Sequence, residues 1–158
     1  MKDQGMFAIP CNIGNVFINR AMCDLGASIN VMPLSVYKTI TNEPLKETKV
    51  TIQLADRSII YPKGVLENVL VKVDDLIFPT DFYIIDMDND HSNTCSEILL
   101  GRPFLSTANT KIDMESGLLS MEFDGEVVEF DVYKDVTQSD SMKNTSFGGT
   151  YEPILMNL

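Results

Sequence analysis

The stretch "AMCDLGASINVMP", residues 21–33, decides how the rest of the chain is read. Apolar residues lead into an acid, Asp24, and Leu25, Gly26, Ala27 and Ser28 follow before the apolar character returns. The run "VFINRAMCD" reads as a β-strand that carries Asp24 to its end. Gly26 takes backbone conformations closed to other residues and lets another segment or a ligand come close. Ala27 and Ser28 are small as well, so the pattern suits a carboxylate presented from a tight turn into a cleft. The plainer alternative is an Asp that bonds its own backbone in a turn. These residues alone leave both readings open.

A chain of 158 residues suits one domain able to bury its own core. With 44% hydrophobic and 22% charged residues it is globular in composition. No apolar run reaches membrane-spanning length. The opening "MKDQGMFAIP" lacks the apolar segment of a signal peptide, so an intracellular, cytoplasmic location is the expectation. Acidic residues outnumber basic ones by 23 to 12, and no Lys or Arg cluster could neutralise phosphates. The expectation is therefore no nucleic-acid partner and no membrane partner.

Cys11, Cys23 and Cys95 match no zinc spacing, and His91 is the single histidine. Buried, reduced thiols are the expected state. A Cys–His hydrolase is disfavoured because His91 falls in an acidic polar stretch. In that stretch, residues 86–97, the acids Asp86, Asp88, Asp90 and Glu97 occupy calcium-loop positions. His91 stands where such a loop needs Gly, and the flanks read as strands, so a solvated acidic loop is expected and no metal.

Around these features the chain is a series of short apolar or alternating runs separated by turn residues, which predicts an all-β fold. "MFAIPCNI" and "VFINRAM" flank Gly14-Asn15, a hairpin signal. "KVTIQL", "GVLENVLVKV" and "LIFPTDFYIID" follow, the last two joined at Asp74-Asp75. Then come "EILLG", "TKIDM", "LLSMEF" and "EVVEFDVY", with turns at Glu115-Ser116-Gly117 and Asp124-Gly125. Two short helices are expected at "PLSVYKTI" and "RPFLSTA". From Asp135 the composition turns to Ser, Thr, Asn and Gly without a period. Residues 1–134 thus read as the domain and 135–158 as a flexible linker or tail toward another segment. The sequon Asn144-Thr145-Ser146 in that tail reads as chance.

Downstream of Asp24 lies "EILLGRPFLSTA": an aliphatic run, Gly101, Arg102 and a short helix. Together with "CDLGAS" it resembles the retropepsin-like aspartic protease family. The likeness spans roughly residues 6–134 and is closest to protease domains of plant gypsy-type LTR retrotransposon Gag-Pol polyproteins. It implies the retropepsin-like acid-protease fold: a closed β-barrel half with a flap hairpin and one or two short helices. The flap falls on "KVTIQLADRSIIYPKGVLENV", with Ala55, Asp56, Arg57 and Ser58 at its tip.

The resemblance also implies an activity. Two carboxylates that share a proton activate a water to hydrolyse a peptide bond, without metal or organic cofactor. Only Asp24 fits as such an acid. Asp3-Gln4-Gly5 precedes the first strand without apolar flanks, and Asp124-Gly125 reads as a hairpin turn. The pair then requires a homodimer, each chain giving one Asp24 across a two-fold axis. The implied partners are a second copy and a peptide or polyprotein substrate.

Two residues depart from the family pattern. Leu25 stands where active members carry a hydroxyl that ties the two loops together. Arg102 lacks the acid it pairs with in retroviral relatives, since Ser28, Ile29 and Asn30 follow Asp24 instead; a loop-supporting role, shared with Gly101, is its expectation. A catalytically inactive dimerisation or peptide-binding module is the alternative that Leu25 favours.

Overall fold

The computed structural model describes residues 6–54, 56–86, 97–132 and 154–156. Its strands are β1 (Met6–Ile13), β2 (Val16–Asp24), β3 (Val31–Pro33), β4 (Ile52–Leu54), β5 (Ile59–Ile60), β6 (Gly64–Val73) and β7 (Leu76–Ile85). They continue as β8 (Leu99–Leu100), β9 (Lys111–Asp113), β10 (Leu118–Phe123), β11 (Glu126–Asp131) and β12 (Ile154–Met156). The helices are α1 (Leu34–Ile40) and α2 (Arg102–Thr107). The all-β reading with two short helices holds.

Six strands close a barrel in the order β1-β2-β8-β3-β7-β6, with β6 pairing back onto β1. Alternation makes this possible: in β7, Leu76, Phe78, Thr80, Phe82 and Ile84 are buried while the residues between them are at least partly exposed. The barrel interior holds Phe78, Phe82, Ile9, Ile13, Met32 and Ile84, all almost fully buried. Phe104 of α2 plugs into the same core, its ring edge-on to Phe78 at 5.4 Å between centroids.

The turns follow the residues that permit them. Gly14 sits at φ 61° between β1 and β2, and Asp124-Gly125 at φ 55° and 86° between β10 and β11. Both central residues of the latter turn are left-handed, the twist that matches a hairpin. At Asp74 the same conformation, φ 56°, joins β6 to β7.

The strand order carries a consequence for the Asp24 stretch. The chain leaves β2 at Asp24 and re-enters the barrel as β3, yet β8 lies between them, parallel to β2 and antiparallel to β3. Residues 25–30 must therefore pass over the end of β8, where Gly101 follows.

Two smaller sheets flank the barrel. One has the order β11-β10-β9 and the other β12-β4-β5. In the second, β4 and β5 form the hairpin that the resemblance assigns to the flap, with Ile52 opposite Ile60. Its third strand, β12, differs from a tail that leaves the domain along its whole length. The apolar run Ile154-Leu155-Met156 is short enough to be hidden by the polar composition around it, yet it pairs with β4. The acidic loop with Asp88, Asp90, His91 and Cys95, and the sequon at 144–146, lie outside the described residues.

Candidate active site

Strand β2 ends at Asp24, which is only 4% exposed. Its carboxylate Oδ1 accepts the backbone N–H of Gly26 at 2.8 Å, and its carbonyl accepts the Ala27 N–H at 3.2 Å. A Cβ on Gly26 would stand 3.3 Å from that same Oδ1, a tight contact that the carboxylate would have to ease by a few tenths of an ångström. The bond is the local Asx-type contact that the plainer reading of Asp24 expected.

The loop is fastened from behind. Asn30, 3% exposed, accepts the Gly101 N–H on its Oδ1 at 2.7 Å and donates from Nδ2 to the Asp81 carbonyl at 3.1 Å. Its own carbonyl accepts the Tyr83 N–H at 2.9 Å, so one residue ties the loop to β7 and to the start of α2. Gly101 is pressed against the loop: a Cβ there would come within 2.2 Å of the Ile29 carbonyl oxygen and 2.8 Å of that of Ala27.

Arg102 touches the loop through its main chain, the N–H donating to the Ala27 carbonyl at 2.8 Å, while its side chain is exposed. The loop contact at this position is thus available to any residue with an amide hydrogen. Asn30 was read from sequence only as a missing acid. A polar residue inside the apolar run "INVM" was the signal that it is a buried, fully bonded anchor.

Leu25 is the exception in this packed turn. It is 43% exposed beside the buried Asp24. Ala27 is fully buried, and with Ile29, Val31 and Leu99 it forms a second apolar cluster outside the main core. Ile52 and Leu54 of β4 pack into that cluster, so the hairpin is held against the Asp24 loop by side chains. At the hairpin tip Asp56 Oδ1 accepts the Ser58 N–H at 2.9 Å and its hydroxyl at 2.6 Å, bonds that hold the Asp56 carboxyl below its ordinary range. Arg57 adopts φ 74° there, and Ala55 lies outside the described residues.

A cleft of about 540 Å³ opens beside the loop, with Ser28, Ile29 and Asn30 on one wall and Lys46, Glu67 and Thr107 among its other residues. Asp24 does not line it. The Ser28 Oγ is buried without a hydrogen-bond partner among the described residues. Cys11 and Cys23 are buried free thiols, and burial pushes Cys11 up to about 12. Cys23 is shifted upward as well, by burial first and then by the nearby Cys11 and Asp24. Neither is a nucleophile at neutral pH. Among the described residues no group of three acids, histidines or cysteines could hold a metal, and no helix is long and apolar enough to cross a membrane.

No protein-family model and no curated protein matches this sequence. Solved structures do. The retroviral protease-like domain of Ddi1 from Leishmania major aligns over 79% of this chain and 94% of its own, with a TM-score of 0.57 and 17% identity. A retropepsin-like aspartic protease from Rickettsia conorii aligns over 72% and 80% respectively, with a TM-score of 0.49 and 19% identity. The closed six-stranded barrel, the helix behind the loop and the first of these likenesses make the chain an all-β domain of the retropepsin-like fold.

Proposed function

We propose that this chain is an aspartic endopeptidase that works as a homodimer, with Asp24 of each subunit meeting across a two-fold axis. The observation that carries the reading is the buried, Gly26-anchored Asp24 at the end of a barrel strand, beneath a hairpin packed on its loop. Two carboxylates at such an axis are too close for both to ionise and share one proton. The ionised one takes a proton from a water as its oxygen attacks the peptide carbonyl carbon. The protonated one hydrogen-bonds the carbonyl oxygen that gains charge. Collapse of the tetrahedral adduct then breaks the C–N bond, the amine leaving with a proton returned from the carboxyl pair.

An extended peptide would lie beneath the hairpin and add backbone hydrogen bonds to it. By the sequence resemblance the natural substrate is a retrotransposon polyprotein that contains this domain.

The exposed Leu25 favours a second reading, an inactive module of the same fold that dimerises or holds peptides. Peptide cleavage by residues 1–158, beside Asp24→Asn at matched high concentration between about pH 4 and 7, separates the two. Activity present in the parent and absent from the variant supports the protease. A folded, dimeric parent without activity moves the assignment to the binding module.

A further inference from the structure

We infer that the edge of β4 opposite β5 is a strand-addition site for extended apolar peptides, and that this chain's own residues 154–156 occupy it until a substrate displaces them. The inference rests on the reading of the β4–β5 hairpin as the cover of a peptide site.

Strand β4 has two edges. One is taken by β5, with Gln53 opposite Ile59. The other is taken by β12 in antiparallel register, Ile154 opposite Leu54, Leu155 opposite Gln53 and Met156 opposite Ile52. Both hairpin strands touch the cluster at the Asp24 loop, but Ile52 and Leu54 of β4 are buried within it beside Ala27, Ile29 and Leu99, whereas Ile60 of β5 packs on it only partly buried and Ile59 is half exposed. The β4 edge is therefore where an incoming peptide gains both a backbone ladder and proximity to the loop. With β12 in place that ladder is already filled.

The sequence of the occupant fits the role. Ile154-Leu155-Met156 is an uninterrupted apolar run between Pro153 and Asn157 in a segment otherwise rich in Ser, Thr, Asn and Gly. Three such residues have no value in a solvated tail, and they have β-strand value on a sheet edge. Because β12 and β4 belong to one chain, their pairing is intramolecular, which lets a weak three-residue strand compete with free peptide. The ligand class follows from the occupant: an extended peptide carrying consecutive aliphatic residues.

The test uses the full chain with Asp24→Asn, so that peptide is bound and not consumed. A fluorescent peptide of residues 152–158, EPILMNL, is titrated into this protein and into one that also carries Ile154→Asp and Met156→Asp. The expected result is binding at least about tenfold tighter when the tail is altered. Equal affinity for both, or binding to neither, overturns the inference. With Asp24 intact, the same tail changes should lower KM for an apolar peptide about tenfold with kcat unchanged; an unchanged KM also overturns it. A chain that cleaves nothing would remove the protease reading alone, because the binding titration still decides whether β4 takes this strand.

Discussion

Asn30 Oδ1 accepts the Gly101 amide at 2.7 Å, joining two positions 71 residues apart. That bond fixes the loop after Asp24 to the start of α2, and the Asn30 Nδ2 extends the tie to the Asp81 carbonyl on β7. Asn30→Ala strands a buried donor and an acceptor together. Each unpaired buried group costs about 1–3 kcal/mol, and the Asp81 carbonyl is only partly buried and falls at the low end, so a loss of roughly 2–4 kcal/mol is expected. The urea midpoint measures it. A change below about 0.5 kcal/mol would mean that the loop is held by its main-chain contacts alone.

Gly101 makes a sharper case because its backbone, at φ −94°, is open to any residue. What excludes a side chain is space: the Ile29 carbonyl oxygen lies 2.2 Å from where a Cβ would sit. Backbone atoms cannot swing aside as a flexible side chain does. Gly101→Ala is expected to cost at least about 3 kcal/mol and to lower Tm by roughly 10 °C. It would also shift the Asp24 loop, so cleavage by whatever protein still folds should fall further than stability alone explains. An alanine variant with the parent's Tm would overturn the steric account.

How far the sequence predicted all this depends on the range of the interactions. Strand β6 (Gly64–Val73) and the β10–β11 hairpin were readable because alternation and the Asp124-Gly125 turn are local signals. Asp24 stood out because an acid ends an apolar run. Asn30 did not, since the partners that satisfy it, Gly101 and Asp81, come from other strands. The placement of β8 between β2 and β3 is likewise a matter of pairing, which a run of two leucines does not announce. The pairing of β12 with β4 was hidden by composition: three apolar residues do not register in a window dominated by polar ones.

The two buried thiols give a pH signature. In the folded chain Cys11 keeps its proton to about 12, against an ordinary value of 9.0, and Cys23 is shifted in the same direction. Below about pH 9 the thiols are protonated in both states and this stabilising contribution is fully present. Between there and about 12 only the unfolded chain releases those protons, so stability falls as pH rises. Each thiol contributes a slope approaching about 1.4 kcal/mol per pH unit. Urea titrations at rising pH should show this slope, and Cys11→Ala with Cys23→Ala should flatten it. Equal slopes in parent and variant would show that other groups govern the alkaline limb. Mass-spectrometric mapping after alkylation at pH 8 should find both positions unmodified until the protein is unfolded.

Leu25 bears most directly on assembly. It is 43% exposed while its neighbour Asp24 is 4% exposed, so the turn offers an apolar tip beside the proposed paired acids. Fully burying an exposed leucine contributes about 1.5–3 kcal/mol, so covering the exposed 43% of Leu25 contributes roughly 1 kcal/mol, and a two-fold axis applies the gain twice. In the proposed dimer, Leu25 on both loops would replace both hydroxyls of the cross-loop bonds that the sequence resemblance implies, so neither loop would keep an orphaned partner. Leu25→Asp would replace that contact with two more negative charges next to the Asp24 pair. The expected outcome in sedimentation is a dimer dissociation constant raised at least about tenfold, with the monomer still folded. Leu25→Thr, which supplies a hydroxyl on each loop, should keep the dimer. Association that ignores Leu25→Asp would place the interface elsewhere on the barrel and leave Asp24 of the two subunits apart.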